Sequence, residues 1–233
     1  MNQPTVEVQD SSIQTQPLVT VHCTQNEIVA HIPYNLSQSF KDHVVAKRFN
    51  KSNKTWHFPL SCFAAYYLHR IYGDAIQDKS ENPTFLKLAN AYQQSLLAKQ
   101  GQYSEIPNLQ TTPWDHQNRA YSFAKYLTGA ALICGMGTGK TLMALGIIQS
   151  RAHKCNMVVC PKNVLSVWPD QIIEHATDSF VIANTDSKKT IAKRVEDVKR
   201  LYNFAWAKNR PFIMLTNYEA FWREKMAEFI KSV

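Results

Sequence analysis

The stretch ICGMGTGKTLMAL, residues 133–145, places three glycines at alternate positions and ends them in a Gly-Lys-Thr triplet. Glycine lets a backbone turn tightly with its N–H groups pointing inward, which suits an anion. An apolar run, AALIC at 130–134, precedes the glycines, and an amphipathic run, TLMALGIIQS at 141–150, follows them. This order predicts a strand, a phosphate-binding loop and a helix. A glycine-rich turn ahead of an ordinary core helix is the alternative.

The loop assigns a role to each of its polar groups. Its backbone N–H groups and the helix N-terminus would hold phosphates, and the Lys140 ammonium would reach the β and γ phosphates. The Thr141 hydroxyl would hold Mg²⁺, so Lys140 and Thr141 are the predicted catalytic residues, and a nucleotide and Mg²⁺ are the predicted cofactors. That the nucleotide is ATP is implied by the family resemblance given below. The predicted nucleotide-binding residues of the loop are Gly135, Met136, Gly137, Thr138, Gly139, Lys140 and Thr141.

From about residue 111, short apolar runs alternate with longer amphipathic ones. The predicted strands are AALIC (130–134), MVVC (157–160), FVIAN (180–184) and PFIMLT (211–216). Helices are predicted after Lys140, Asn163 and Ser187, the last with a buried stripe of Ile191, Val195, Val198 and Tyr202. Alternating strands and helices predict an α/β fold, with a mostly parallel sheet covered on both faces.

The residues before this region have a different composition. Residues 1–17 are polar and predict a flexible tail, and residues 18–76 are rich in β-branched and aromatic residues, which predicts a small α+β domain. In that domain we expect two strands with a turn at Gln25-Asn26, a strand at Trp56 to Phe58, and a helix capped by Ser61 and ended by Gly73. Residues 77–110 predict a helical connector to the domain at 111–233.

The overall composition limits the class of protein. The 233 residues carry 26 Lys and Arg against 18 Asp and Glu, a net charge of +8 that favours polyanions such as nucleic acid, although a merely basic protein has the same balance. Five cysteines without a C-x-x-C pair indicate neither a disulfide framework nor a zinc site. The polar first residues and the absence of a long apolar run predict a cytoplasmic protein that is neither secreted nor membrane-bound.

Four stretches in order resemble the motifs of one protein family. They are TTPWDHQNRAYSFA (111–124), the phosphate loop, VVCPKNVLSVWPDQI (158–172) and IMLTNYEAF (213–221). They resemble the Q motif and motifs I, Ia and Ib of superfamily-two helicases, and most closely those of the Swi/Snf branch of DNA translocases. The resemblance covers residues 111–233 and implies most of a first RecA-like lobe. Cys134 departs from the family pattern, because it stands where the first glycine of the strict loop motif belongs.

The resemblance also implies roles outside the loop. Gln117 would read the adenine edge, and Pro161, Lys162, Thr216 and Asn217 would lie at the nucleic-acid groove, where contacts to phosphate position a strand without reading its sequence. Each has an ordinary alternative: Gln117 as a surface residue, and Thr216 and Asn217 as caps of the next helix.

The N-terminal segment resembles, more loosely, the HepA-related (HARP) domain that precedes the motor of some annealing helicases. IPYN at 32–35 and KDHVVAKRFNKSNKTWHFPLS at 41–61 carry this resemblance. It implies DNA binding, duplex or forked, and the basic side chains of Arg48, Lys51 and Lys54 are the predicted contacts. Trp56 is either a base-stacking aromatic or, as we favour, a core residue.

Part of a motor of this family has no counterpart in the sequence. The family hydrolyses ATP with an acidic box, Asp-Glu-x-x, and the chain contains no Asp-Glu dipeptide. The nearest acidic pair, Glu196-Asp197, lies in a predicted helix, and Glu219 occupies the motif Ib position. The acidic box and second lobe are thus expected in another part of a longer protein, unless the motor has degenerated. Alternatively, the chain is a non-catalytic nucleic-acid-binding module, or a P-loop NTPase acting on RNA or protein.

Overall fold

The computed structural model describes residues 19–44, 47–80, 84–187 and 189–232. The chain divides into two compact units, and the division falls between Gln93 and Gln94. Helix α3, Thr84–Lys99, crosses this division and occupies much of the predicted connector at 77–110. The predicted tail at 1–17 lies outside the described residues.

The described part of the N-terminal unit is built on a mixed sheet in the order β3-β4-β2-β1-β5. The strands are β1 Val19–Cys23, β2 Glu27–His31, β3 Arg48–Asn50, β4 Thr55–Pro59 and β5 Ile76–Asp78. Only the β1–β5 pairing is parallel. The predicted turn at Gln25-Asn26 is confirmed, because the amide of Thr24 donates to the carbonyl of Glu27 (2.9 Å) and joins β1 to β2.

One face of this sheet packs on helices. Alternate strand residues, such as Val21, Ile28 and Phe58, are buried beside Phe40 of α1 (Gln38–Lys41) and Leu68 of α2 (Cys62–Tyr72). Successive strand side chains point to opposite faces, so intervening residues such as Thr20 and Val29 lie on the other face of the sheet.

The ends of α2 are those predicted. The Ser61 hydroxyl accepts from the amide of Ala64, and Gly73 follows the helix at φ +50°. Both helix ends are set by local interactions. The serine oxygen accepts a hydrogen bond from an amide that the first turn leaves unpaired, and glycine adopts a positive φ without steric strain from a Cβ atom. Local sequence was therefore sufficient to predict them.

In the C-terminal unit the described strands form a parallel sheet in the order β6-β8-β7. The strands are β6 Cys155–Cys160, β7 Val181–Asn184 and β8 Phe212–Asn217, which confirms three of the four predicted strands. The helices are α4 Asp115–Ala124, α5 Lys140–Arg151, α6 Val167–His175, α7 Ile191–Ala207, α8 Tyr218–Phe221 and α9 Glu224–Ser232. Helices follow Lys140, Asn163 and Ser187 as predicted.

Helices cover both faces of this sheet. On one face Ile213 and Leu215 of β8 pack with Leu145 of α5 and Trp168 of α6. On the other, Phe212 and Met214 pack with residues of α7 and α9, including Val195 and Val198 of the predicted stripe. Strand β8 is buried along its whole length because it lies in the middle of the sheet. The α/β class is thus confirmed.

The fourth predicted strand, AALIC at 130–134, is wrong in this structure. The segment has no strand conformation, and the side chain of Ile133 is 97% exposed. A strand requires hydrogen bonds to a neighbour, and the described residues provide no partner for this segment at either edge of the sheet. The apolar character of this segment was therefore not sufficient to predict a strand.

Among the described residues, no helix combines the length and the apolar character that crossing a membrane requires.

Candidate functional site

The glycine loop leads directly into helix α5, as its sequence predicts. Gly137 and Gly139 both adopt φ +76°, and Gly139 is the N-cap residue of α5 in the left-handed region. The first hydrogen bond of the helix runs from the amide of Met143 to the carbonyl of Gly139 (3.1 Å). The preceding amides of α5 are the ones that an α-helix leaves without an internal partner. They can donate to an anion held in front of the helix.

Lys140 folds back over this loop. Its Nζ atom donates to the carbonyl oxygens of Cys134 (3.2 Å) and Gly135 (2.6 Å), while the side chain is exposed to solvent. The Thr138 hydroxyl donates to the Gly135 carbonyl as well (3.0 Å). A lysine ammonium has three N–H donors. The hydrogen bonds that hold it at the loop can therefore be exchanged for bonds to other acceptors. Phosphate oxygens are stronger acceptors than these carbonyls, because they are charged.

Thr141 lies in the first turn of α5 and is half-buried. Within the described parts of the chain its hydroxyl has no hydrogen-bond partner. No group of three or more His, Cys, Asp or Glu side chains that could hold a metal ion occurs among these residues either. A Mg²⁺ ion at this place would therefore depend on Thr141 together with oxygens of the nucleotide.

Gln117 is buried, with 5% of its surface exposed, which contradicts the alternative that it is an ordinary surface residue. Its Oε1 atom accepts from the amide of Trp114 (2.8 Å) and caps α4, and its Nε2 atom donates to the carbonyl of Thr138 (3.2 Å). The Nε2 atom of His116 lies 3.1 Å from the same carbonyl oxygen. Gln117 thus supports the loop through its hydrogen bond to Thr138. To bind the adenine edge, its amide would have to exchange one of these two hydrogen bonds.

The loop and Gln117 fit together closely. A Cβ atom built on Gly139 would lie 3.3 Å from Cδ of Gln117 and would overlap its Nε2 atom. Glycine is therefore required at position 139 for two reasons: its backbone is left-handed, and the Gln117 side-chain amide leaves no room for a Cβ atom.

A second site lies at the carboxyl ends of the parallel strands. A cleft of about 260 Å³ contains two of the predicted nucleic-acid residues, Lys162 after β6 and Asn217 at the end of β8. The rest of its lining is Ile191, Arg194, Glu219, Ala220 and Arg223. Ligands of open parallel sheets bind outside the carboxyl ends of the strands. The three cations outnumber Glu219, so the cleft favours an anion.

The other predicted residues of this site differ in accessibility. Pro161 is exposed and precedes a short 3₁₀ turn, Lys162 to Val164. Thr216, in contrast, is fully buried, and its hydroxyl accepts from the hydroxyl of Thr185 (3.1 Å). Its side chain does not reach the surface, because β8 lies between two other strands. Asn217 caps α8 by accepting from the amide of Ala220 (2.7 Å), as the alternative proposed, and still lines the cleft.

Two cations of the cleft were missed in the sequence. Arg194 lies next to the buried Val195 on α7, and its guanidinium also donates to the carbonyls of Ser187 (2.5 Å) and Lys189 (2.9 Å). Arg223 follows α8, six residues beyond Asn217. Neither belongs to a motif, and only the return of α7 and α8 to the same edge of the sheet brings them together.

The predicted contacts of the N-terminal unit lie on one hairpin. Arg48 is on β3, and Lys51 and Lys54 are exposed in the turn between β3 and β4. Arg48 forms an ion pair with Glu27 (3.3 Å), whereas no ion pair of Lys51 or Lys54 is present in the described residues. A hydrogen bond from His57 (2.8 Å) lowers the pKa of the Glu27 carboxyl, and Arg48 lowers it further.

Trp56 belongs to the core rather than to an exposed stacking surface. Its ring contacts Phe40 edge-on at 4.9 Å and Phe49 at 4.8 Å. The preference for a core role is therefore supported, and Phe49, which is 43% exposed, is the more accessible aromatic of this hairpin.

Comparison with known proteins adds no assignment to this geometry. No protein-family model matches the chain, and no curated protein matches it significantly. The function is therefore argued from the glycine loop, its support by Gln117 and the basic cleft.

Proposed function

We propose that the chain binds ATP through residues 135–141 and DNA through its basic surfaces, as the front part of an ATP-dependent DNA helicase or translocase. The motor resembled is of the Swi/Snf type, with a HARP-like recognition domain before it, and the C-terminal unit would then be a RecA-like lobe. The observation that carries this proposal is the loop at the start of α5, with two left-handed glycines and the Lys140 ammonium over its carbonyls.

Each part of the loop has a defined task in holding a nucleotide. The free amides at the start of α5 donate to phosphate oxygens, and the helix dipole favours their negative charge. Lys140 exchanges its bonds to the Cys134 and Gly135 carbonyls for the phosphates, and Thr141 offers its hydroxyl to Mg²⁺. When bound, Mg²⁺ neutralises charge on the β and γ phosphates.

DNA is the proposed ligand of the cleft at the carboxyl ends of the strands. Lys162 and Arg223 supply positive charge, and Asn217 supplies an amide near them. Such groups contact phosphate oxygens and hold a strand in register without selecting its sequence. Lys51 and Lys54 on the N-terminal hairpin are proposed as further phosphate contacts.

A second candidate function is a nucleic-acid-binding module without turnover. The observation in its favour is that the sequence contains no Asp-Glu dipeptide. In the family resembled, the Asp of this pair holds Mg²⁺ and the Glu polarises the attacking water. We therefore propose nucleotide binding for these residues and assign them no hydrolytic step. The two functions differ in whether ATP and DNA are bound interdependently.

The deciding experiment measures duplex and forked DNA affinity by fluorescence anisotropy, with and without saturating ATP and Mg²⁺. A translocase couples the two ligands, and coupling energies between sites are typically about 1–3 kcal/mol, or roughly 5- to 150-fold in affinity. We expect ATP to change the DNA affinity and Lys140→Ala to abolish that response. If ATP leaves the DNA affinity unchanged in both the unmodified chain and the Lys140→Ala variant, the non-catalytic module is favoured.

The cleft makes a separate prediction for Arg223→Ala. Removing one phosphate contact lowers the dependence of log affinity on log salt concentration by about 0.9. Lys208→Ala is the matched control, because Lys208 is exposed at the far end of α7 from Arg194, roughly 20 Å away along the helix. An equal loss of salt dependence in both variants would show that charge, rather than this cleft, binds DNA.

A further inference from the structure

A polar cleft of about 390 Å³ in the C-terminal unit has no role in the function proposed above. It lies at the end of α4, and its principal lining residues are Gln94, Gln102, Tyr103, Lys125 and Tyr126. Gln117, which supports the glycine loop, is eight residues before Lys125. The rise of an α-helix separates the two by about 12 Å, so the cleft is distinct from the loop.

Cations lie close to tyrosine rings in this cleft and directly beside it. The Lys125 Nζ atom lies 4.7 Å from the ring of Tyr126 and 5.1 Å from that of Tyr121, and the Arg119 guanidinium lies 5.8 Å from the ring of Tyr103. Tyr126 is 54% exposed, so part of its ring is accessible to a ligand. Aromatic faces combined with cations are the usual means of holding bases and phosphates of an unpaired strand.

Lys125 retains donors for a ligand. Its ammonium donates to the Ser104 hydroxyl (2.6 Å), which leaves two of its three hydrogens. The floor beneath it is rigid, because the amide of Ser104 donates to the Ser122 hydroxyl (3.0 Å), and that hydroxyl donates to the Ser104 carbonyl (2.9 Å). None of the described residues that line the cleft carries a carboxylate, and the nearby carboxylate of Asp115 accepts a hydrogen bond from the Tyr103 hydroxyl.

Two primary amides complete the set of groups that a nucleotide needs. Gln94 and Gln102 are exposed, and within the described residues their side chains make no hydrogen bond. Each amide offers a donor and an acceptor side by side, which matches the edge of a nucleobase.

We propose that this cleft binds an unpaired nucleotide of a single-stranded nucleic acid. The base stacks on Tyr126, the amides of Gln94 and Gln102 meet its edge, and Lys125 contacts the adjacent phosphate. A base inside a duplex is covered on both faces by its neighbours and cannot stack on a side chain in this way. The class of partner follows the proposed function, whereas the position of the site rests on the cleft alone.

The test uses the complete chain and a fluorescent oligothymidylate of about 12 nucleotides, within the range of sites covered by single-strand-binding folds. Loss of one base–aromatic stack is worth roughly 5- to 150-fold, so Tyr126→Ala is expected to weaken binding by about tenfold. Tyr126→Phe keeps the ring and is expected to bind as the unmodified chain does. Thermal unfolding of each variant checks that its fold is retained.

Two further measurements, photocross-linking and binding of blunt duplex, locate the site. An oligonucleotide carrying 5-iodouracil is expected to photocross-link to Tyr103 or Tyr126, and cross-links confined to other peptides would overturn the proposal. Affinity for blunt duplex is expected to be unchanged by Tyr126→Ala. An equal loss for duplex, no loss for the single strand, or binding of free dTMP as tight as that of the oligonucleotide would each overturn it.

Failure of this proposal and failure of the proposed function are distinguishable. Lys208→Ala, at the far end of α7, is expected to leave oligothymidylate affinity unchanged, measured without nucleotide. If the Tyr126 variants all bind the strand equally while the chain still binds ATP through Lys140, only the single-strand site is refuted. If Lys140→Ala leaves ATP binding intact, the nucleotide function is refuted independently of the cleft.

Discussion

Replacement of Lys140 by alanine is expected to lower the affinity for ATP and Mg²⁺ by about 10- to 100-fold. Hydrogen bonds to charged groups are worth about 1.5–3 kcal/mol each, and a tenfold change in affinity corresponds to about 1.4 kcal/mol. The side chain is exposed and bonds only to loop carbonyls, so its removal leaves the packing of α5 unchanged. Isothermal titration calorimetry, or anisotropy of a fluorescent ATP analogue, measures the change directly.

The matched control for this variant is Lys154→Ala. Lys154 directly precedes β6 and its ammonium lies 4.9 Å from the ring of Trp206, away from the loop. We expect this variant to bind ATP as the unmodified chain does. ATP binding that survives Lys140→Ala, or that both variants lose equally, would contradict a phosphate-binding role for the loop.

The second large effect is expected for Gly139→Ala. The left-handed backbone at φ +76° costs an L residue about 1–2 kcal/mol, and forcing a methyl group against the buried Gln117 amide adds a further cost of about 1–3 kcal/mol. The loop then either shifts or breaks the bond from Gln117 to Thr138. We expect both a lower melting temperature and a loss of ATP affinity comparable to that of Lys140→Ala.

Gly137→Ala separates the two causes. Gly137 also lies at φ +76°, but a Cβ atom built there meets no atom within 4 Å. This variant has the backbone cost without the collision, so it is expected to be the milder of the two. Adding Gln117→Ala to Gly139→Ala should recover part of the loss by removing the obstructing amide. Equal losses of ATP affinity and melting temperature in both glycine variants would show that contact with Gln117 does not limit the residue at position 139.

Local signals predicted α2, α3, α5, α6, α7 and most of the strands, but not α1, α4 or α9. Ser61 and Gly73 bound α2 through their own side-chain and backbone chemistry, and the spacing of Val195 and Val198 marked the buried face of α7. The parallel strands were predictable because each contains a short apolar run, such as residues 212–215 in β8. The loop at 135–141 was recognised for a similar reason, since glycine spacing and Gly-Lys-Thr specify a backbone conformation within a few residues.

Predictions that depended on neighbours were less successful. The AALIC segment has strand-forming residues, but pairing needs a second strand, which sequence alone does not provide. Thr216 ends an apolar run and was expected at the surface, yet the strands on both sides of β8 bury it. Arg194 and Arg223 carry no motif, so their meeting with Lys162 was not predictable.

By itself, the sequence determined the glycine loop, the Lys140 and Thr141 side chains at the start of α5, and the alternation of strands and helices, because these depend on short-range conformation and periodicity. Only the tertiary structure decided that Gln117 is buried beneath the loop and that Lys162 and Arg223 line one cleft. It likewise gathered Tyr103, Lys125 and Tyr126 around another cleft. Burial and charge clustering arise from contacts between segments distant along the chain, and residue spacing does not encode them.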